Sequence, residues 1–249
     1  MSENLNLSAA TDTGKWFATT HWSVVLTARG EESPQAEAAL EQLCRRYWPP
    51  IYAYVRRRGH RPHEAQDLTQ EFFARLLEKH YLDAADASKG KFRTLLLTAV
   101  SRFLADEWDR VNTQKRGGGA LHLSLEAEKA EAGYRVEPAD TATPETIFER
   151  RWAETLLETV LARLREEFEA AGQQERFAAL KPFLAMEGRK LSGAALAARL
   201  GLTESAAYSA VHRLRQRYGE LLRKEIAQTV SSPEEVDEEL RCLARSLGR

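Results

Sequence analysis

Apolar residues recur along most of the chain at intervals of three and four, the spacing that places side chains on one face of an α-helix. The pattern predicts a first helix around Tyr47 and a second helical segment after Pro49 and Pro50, which interrupt the spacing. Gly59 ends that segment, and Pro62 fits the first turn of a third helix. No run of alternating β-branched residues predicts a strand. The fold class expected is therefore all-α.

The same spacing predicts helices in the later parts of the chain. One begins near Phe92 and runs to about Val111, and the basic glycine-rich stretch Lys115–Gly119 breaks it. A long amphipathic helix opens near Pro144, and further helices follow from about Gln174. The stretch between these two groups is acidic and only weakly periodic, which is typical of a linker.

At 249 residues the chain exceeds the usual size of a single domain, so we expect two helical domains. The predicted division is an N-terminal extension (1–39), a first helical domain (40–116), a linker (117–143), a second helical domain (144–224) and a C-terminal extension (225–249). The C-terminal extension contains one more candidate helix, in which apolar residues recur at spacings of four, three and four.

Charge is segregated along the chain although the formal net charge is only -1. Residues 40–119 carry fifteen basic and ten acidic side chains, and residues 181–224 carry nine and three. Residues 120–180, between them, carry seven basic and thirteen acidic side chains. Two basic modules can each face phosphate, while the acidic parts stay solvated or screen the basic ones. Patterning for solubility alone is the alternative.

Several classes of protein are disfavoured by composition. No run of about 18 apolar residues could span a bilayer, so no membrane association is expected. Residues 1–13 are polar and lack the features of a secretory signal, which predicts a cytoplasmic protein. Cys44 and Cys242 are far apart and have no CxxC spacing, so they indicate neither a disulfide framework nor a zinc site.

The most specific local pattern runs from Leu191 to Tyr218. It predicts a helix, a short turn at Gly201 and a second helix capped by Thr203, the arrangement of a helix-turn-helix. A second helix of this kind can enter the major groove of DNA, although an ordinary pair of packed helices is the alternative. The candidate DNA-binding residues on this helix are Ser205, Tyr208, Ser209, His212, Arg213 and Arg215.

Three segments resemble one known family. Thr203–Arg215 is similar to the recognition helix of region four in extracytoplasmic-function (ECF) sigma factors, which belong to the sigma-70 family. Asp67–Leu77 resembles the region-two helix that docks on the clamp of RNA polymerase. Phe92–Arg110 resembles the next helix, which in the family reads and melts the minus-ten element. The resemblance covers roughly residues 40–116 and 143–224.

The resemblance implies two groups of site residues in the first domain, which would correspond to region two. The docking helix would bind polymerase through an acidic and amide face, although a solvated face with a Glu71–Arg75 pair is the simpler interpretation. On the next helix, arginines would hold the DNA backbone while Trp108 stacks on an unpaired base, unless Trp108 belongs to the core. The polymerase-binding candidates are Asp67, Gln70, Glu71 and Arg75; the DNA-binding candidates are Arg93, Arg102, Trp108 and Arg110.

The function implied is that of a transcription initiation factor whose partners are core RNA polymerase and promoter DNA, with an anti-sigma factor as a further candidate partner. No catalytic residue, cofactor, metal site or small-molecule substrate is expected. The second domain, which would correspond to region four, departs from the family in one respect. Tyr208 and Ala210 stand where the family commonly has basic residues, which leaves the recognition helix with fewer phosphate contacts.

Two other functions remain open at the level of the sequence. A helix-turn-helix regulator that acts without polymerase would have no use for the Asp67–Leu77 helix. A metal-dependent nuclease would need ligands such as His60, His63 and Asp67, of which His63 and Asp67 share a helix face. No further ligand or general base accompanies them, so this function is the least favoured.

Overall fold

The computed structural model describes residues 34–77, 91–113, 130–132, 134, 142–184, 192–230 and 232–248. Most of these residues are helical and none of them lies in a strand, which confirms the all-α prediction. The predicted N-terminal extension up to residue 33, the break at Lys115–Gly119 and most of the predicted linker lie outside the described residues.

Eight α-helices are described, and most of them begin where local sequence signals predict. Their bounds are α1 Pro34–Arg57, α2 Pro62–Leu77, α3 Phe92–Thr113, α4 Pro144–Ala170, α5 Gln174–Leu180, α6 Gly193–Leu200, α7 Glu204–Ala227 and α8 Glu235–Ser246, with a short 3₁₀ helix at Lys181–Leu184 after α5.

The described residues fall into two compact units. Unit 1 comprises those up to Thr155 together with those from Ile226 onward, and unit 2 comprises residues 156–225. Unit 1 therefore includes the first turns of α4 and the whole of α8, which follows unit 2 in the chain. The predicted domain limits at residues 116, 144 and 224 stay a prediction.

Helix α1 is continuous through Pro49 and Pro50, where the sequence predicts two segments. Each proline lacks an N–H and so removes one backbone hydrogen bond, at a cost of about 3 kcal/mol or more in a helix interior. Tyr47, Ile51 and Val55 lie four residues apart across the prolines, and all three are fully buried. Because one apolar face continues on both sides, burial against the rest of unit 1 keeps the chain helical.

The core of unit 1 forms where α1, α2 and α3 meet, and aromatic rings dominate it. Trp48 of α1 stacks on Phe73 of α2, with ring centroids 5.7 Å apart and planes inclined by 16°. Phe72 of α2 lies 5.7 Å from Phe103 of α3. Such pairs add stability beyond the burial of their area. They fix α2 and α3 side by side, and leave the opposite face of each helix to solvent.

Unit 2 has its own core, to which α4, α5, α6 and α7 all contribute side chains. Small side chains of α6 and α7, such as Ala197 and Ala207, belong to this core. The turn between these two helices uses Gly201, whose φ is 64°, and the N–H groups of Gly201 and Leu202 bond back to the end of α6. The remaining large members of this core include Val160, Leu164, Phe177, Leu180, Leu196, Val211, Leu214 and Leu221.

Two glycines of unit 2 should respond to alanine in opposite ways. Gly201 has left-handed backbone, so Gly201→Ala is expected to lower the free energy of unfolding by about 1 kcal/mol. Gly219 lies inside α7, and a Cβ there meets nothing within 4 Å, so Gly219→Ala should raise it by about 0.5–1 kcal/mol. Urea unfolding followed by circular dichroism measures both. Shifts of the same sign would contradict this account of the turn.

Candidate nucleic-acid interface

One face of α2 is polar and exposed while the other is buried in unit 1. Asp67 and Glu71 are exposed and Gln70 is half-buried, and helical spacing places these three on adjoining positions. Phe72 and Leu76 lie on the opposite side and are 0% and 1% exposed. The predicted polymerase-binding face is therefore accessible, and it is acidic.

Arg75, the fourth residue predicted for that face, is largely occupied within unit 1. Its guanidinium bonds to Glu71 on the same helix at 2.9 Å and pairs with Glu107 on α3, and it lies over the ring of Phe103 at 5.0 Å. Burial alone lowers the pKa of Arg75, but the hydrogen bonds and charges of Glu71 and Glu107 raise it overall. Arg75 thus links α2 to α3, and its contact with a partner stays a prediction.

Arg93 is predicted to contact the DNA backbone, but the structure places it in a buried network of ion pairs. It is only 7% exposed, and its guanidinium is held by Glu149 of α4 and by both carboxylate oxygens of Glu239 of α8. The ring of Trp152 covers it at 4.7 Å. Burial lowers the pKa of Arg93, but the carboxylates outweigh burial and raise the pKa overall. A guanidinium that is enclosed in this way cannot reach a phosphate, so Arg93 is not part of an exposed DNA face.

The centre of this network is Glu239, which sequence reasoning missed. Its side chain is fully buried, and besides Arg93 it accepts a contact from Lys91 at 2.7 Å. The sequence does carry a signal, because Glu239 is three residues after Val236 and four before Leu243, on the apolar face of α8. An acidic residue in that position is expected to have a buried cationic partner. The network fastens α8 to the start of α3.

The remaining candidates on α3 are exposed. Arg102 and Arg110 are exposed and lie eight residues apart, so they differ by about 80° around the helix. Arg110 also pairs with Glu107 at 2.9 Å. Trp108 is 68% exposed, which excludes the alternative that it belongs to the core. Its ring is therefore accessible for stacking.

Part of the predicted linker packs against α1. Glu131 pairs with Arg56 at 2.9 Å and accepts a hydrogen bond from the hydroxyl of Tyr52 at 2.8 Å. The guanidinium of Arg56 also lies over the ring of Tyr134 at 4.9 Å. An acidic residue of this segment therefore screens a basic residue of α1, which is one of the two outcomes that the segregation of charge predicts.

In unit 2 the predicted DNA-binding residues of α7 lie on the side opposite its core. Ser205, Ser209, His212 and Arg213 are exposed, and Tyr208 is 60% exposed. The Thr203 hydroxyl accepts a hydrogen bond from the N–H of Ala206 at 3.3 Å, which confirms the predicted cap of α7.

Arg215 is exposed, but its guanidinium is engaged within unit 2. It donates two hydrogen bonds to the carbonyl oxygen of Phe183, at 3.1 and 2.8 Å, and so ties α7 to the 3₁₀ helix. Contact of Arg215 with phosphate would need these bonds to be shared or broken. Sequence reasoning could not find this contact, because the partner is a backbone atom 32 residues away.

The two cysteines are free and half-buried. Burial, reinforced by the charge of Glu41, raises the pKa of Cys44 to about 11, so this thiol is protonated at neutral pH. Cys242 lies beside the network of α8, with its sulfur 3.8 Å from Nζ of Lys91. Among the residues that the structure describes, no group of three or more histidine, cysteine, aspartate or glutamate side chains could hold a metal ion.

Comparison with known protein families identifies part of unit 1. Residues 43–113 match the family model of sigma-70 region 2, a span that contains α2, α3 and most of α1. No curated protein and no solved structure matches the chain significantly. Within the described part of the chain, no helix has the length and apolar character needed to cross a membrane.

Proposed function

We propose that this chain, in which residues 43–113 match sigma-70 region 2, is a sigma-70 family transcription initiation factor that binds core RNA polymerase and directs it to specific promoters. The observation that supports this most is the family match over residues 43–113, because that span carries both the exposed acidic face of α2 and the exposed Trp108 of α3. The ECF type of sigma factor is part of the proposal, on the resemblance of Thr203–Arg215 to the recognition helix of that type.

In this proposal α2 is the contact with polymerase. Asp67 and Glu71 are both exposed, and their charges can complement a basic surface on the partner and set the register of docking. Gln70, which lies between them, adds an amide that can donate and accept hydrogen bonds. Unit 1 supplies a rigid support, because the reverse face of α2 is packed among the aromatic rings of the core.

Promoter DNA is bound at two places in this proposal. Arg102 and Arg110 of α3 contact the backbone near the minus-ten element, and Trp108 stacks on a base that has left the duplex. The exposed side of α7 enters the major groove of the minus-thirty-five element, with Ser205, Ser209, His212 and Arg213 near the bases or phosphates. Contacts at two tethered sites strengthen each other even where each is weak.

The experiment that tests the proposal is run-off transcription with bacterial core polymerase on genomic promoter fragments. We expect the wild type to bind core and start specific transcripts, and the double variant Asp67→Ala/Glu71→Ala to bind core about tenfold more weakly, a loss of about 1.4 kcal/mol. The fold should survive, because Arg75 keeps Glu107 and the exposed Glu71–Arg75 pair is worth about 1 kcal/mol or less.

Glu41→Gln is the control, since Glu41 is an exposed acidic residue that lies on α1 and not on α2. It should leave binding to core unchanged. A wild-type protein that binds duplex DNA tightly but never associates with core would overturn the proposal and favour a helix-turn-helix regulator. Cleavage of DNA that stops with a chelator would instead favour a nuclease.

A further inference from the structure

Gly193 is the first residue of α6, and its backbone gives no reason for a glycine. It follows the cap residue Ser192, whose hydroxyl accepts a hydrogen bond from the N–H of Ala195. The glycines that have positive φ are elsewhere, at positions such as 172 and 201, whereas Gly193 is helical. Alanine is the better helix former, so conformational preference alone would favour it here. The reason for a glycine must therefore lie in the space around it.

That space is taken by Tyr208 of α7. A Cβ on Gly193 would lie 2.4 Å from the hydroxyl oxygen of Tyr208, 2.5 Å from Cζ and 2.9 Å from Cε2, all far inside normal contact distance. The hydroxyl end of the ring therefore rests on the bare Cα of Gly193. Tyr208 is nevertheless 60% exposed, so the rest of the side chain remains open to solvent.

We propose that Gly193 is a positioning residue for promoter recognition, which seats Tyr208 so that its ring meets the methyl group of a thymine in the major groove. This inference rests on the proposed function, in which α7 is the recognition helix. Tyr208 lies between Ser205 and Ser209 and one turn before His212, all of them exposed on the proposed DNA face.

The contact between the hydroxyl end of Tyr208 and Gly193 explains how the Tyr208 side chain can discriminate between bases. A tyrosine held at its hydroxyl end has given up rotamer freedom before DNA arrives, so less entropy is lost on binding. Its hydroxyl end is turned to α6, which leaves the apolar part of the ring for the partner. In the major groove the thymine methyl is the apolar feature that separates thymine from the other bases.

The test is selection of duplexes from a randomised minus-thirty-five library by the full-length protein bound to core polymerase. The wild type should prefer thymine at one position. Gly193→Ala and Tyr208→Ala should each reduce that preference by about three- to tenfold and leave affinity for unrelated duplexes unchanged. Tyr208→Phe keeps the seated ring, so it should retain the preference.

A double variant separates seating from a direct effect of Gly193. If Gly193 acts through Tyr208, then Gly193→Ala should have no further effect when it is added to Tyr208→Ala. The substitution should not harm folding, because the obstructing atoms are the far end of a side chain that can swing into solvent. Urea unfolding of Gly193→Ala should therefore show a stability equal to or above that of the wild type.

Two results would overturn the inference. One is an equal loss of affinity for all sequences, which would make Tyr208 a contact for the DNA backbone. The other is a full effect of Gly193→Ala in the Tyr208→Ala background. If the wild-type complex selects a motif and both variants select the same motif, the role of Gly193 and Tyr208 is refuted but the proposed function is not. If the wild-type complex selects no motif, the proposed function is refuted as well.

Discussion

Replacing Glu239 by glutamine is expected to lower the free energy of unfolding of unit 1 by about 3 kcal/mol. The carboxylate is fully buried, 2.5 Å from Nε of Arg93 and 2.7 Å from Nζ of Lys91. Neutralising it leaves two basic groups in a site with little water, where Glu149 is the remaining carboxylate partner of Arg93. Loss of a partner from a buried ion pair costs far more than the pair itself contributes.

Glu238→Gln is the matched control for this prediction. Glu238 is the neighbouring residue and carries the same charge, but its side chain is 59% exposed and lies 3.6 Å from Lys91. An exposed pair of this kind is worth about 1 kcal/mol or less. Urea unfolding of the two variants measures the difference. Equal and small losses would mean that the network does not hold α8 in place.

The acid dependence of stability provides a second measurement on the same variants. Burial alone raises the pKa of Glu239, but the hydrogen bonds and charges of Arg93 and Lys91 lower it overall from its usual 4.5. Because the folded-state pKa is the lower one, the stabilisation is present above about pH 4.5 and is lost as pH falls through the lowered pKa. The wild type should lose its advantage over Glu239→Gln in that acidic range. Glu238→Gln keeps the buried carboxylate, so its stability should fall in acid in parallel with that of the wild type.

Trp108→Ala is expected to slow opening of the promoter by about tenfold or more, without loss of folding stability. Stacking of one base on an aromatic ring is worth about 1–3 kcal/mol, which corresponds to a change in rate of about 5- to 150-fold, and tenfold lies within that range. The ring is 68% exposed, so its removal opens no cavity in unit 1. Permanganate footprinting of unpaired thymines in the complex with core polymerase measures the opening.

The controls for Trp108 separate stacking from general binding. Trp108→Phe keeps an aromatic face and should recover most of the opening rate. On a promoter with a premelted minus-ten region, Trp108→Ala should still bind more weakly, because stacking on the unpaired base remains lost. Equal opening by the alanine variant and the wild type would exclude Trp108 as the stacking residue and leave it a surface side chain.

Features that depend on neighbouring residues could be predicted from the sequence. The start of α2 at Pro62, the turn at Gly201 and the cap at Thr203 each follow from the local chemistry of one or two residues. Proline fits the first turn of a helix, glycine tolerates left-handed backbone and a threonine hydroxyl accepts an N–H bond. The exposure of α7 residues such as Tyr208 follows from helical periodicity.

Features that depend on distant residues could not be predicted in the same way. The continuity of α1 through Pro49 and Pro50 results from burial against other helices, which outweighs the local cost of the prolines. Arg93 stands in a helix that resembles a DNA contact, yet the carboxylates that enclose it lie 56 and 146 residues further along the chain. From the sequence alone, a basic residue that contacts phosphate cannot be distinguished from one that pairs with a buried glutamate. Only the fold distinguishes the two.

The position of α8 also has a consequence for the order in which the molecule is made. Arg93 and Glu239 are 146 residues apart, so at about 5–20 residues per second the ribosome adds Glu239 about 7–30 s after Arg93. During that time unit 2 is synthesised in full, while both carboxylates that pair with Lys91 are still missing from the nascent chain. Unit 1 therefore completes its folding only after unit 2 has been translated. A polypeptide that is released before α8 keeps a buried cation without its main partner, and we expect cellular proteases to remove it.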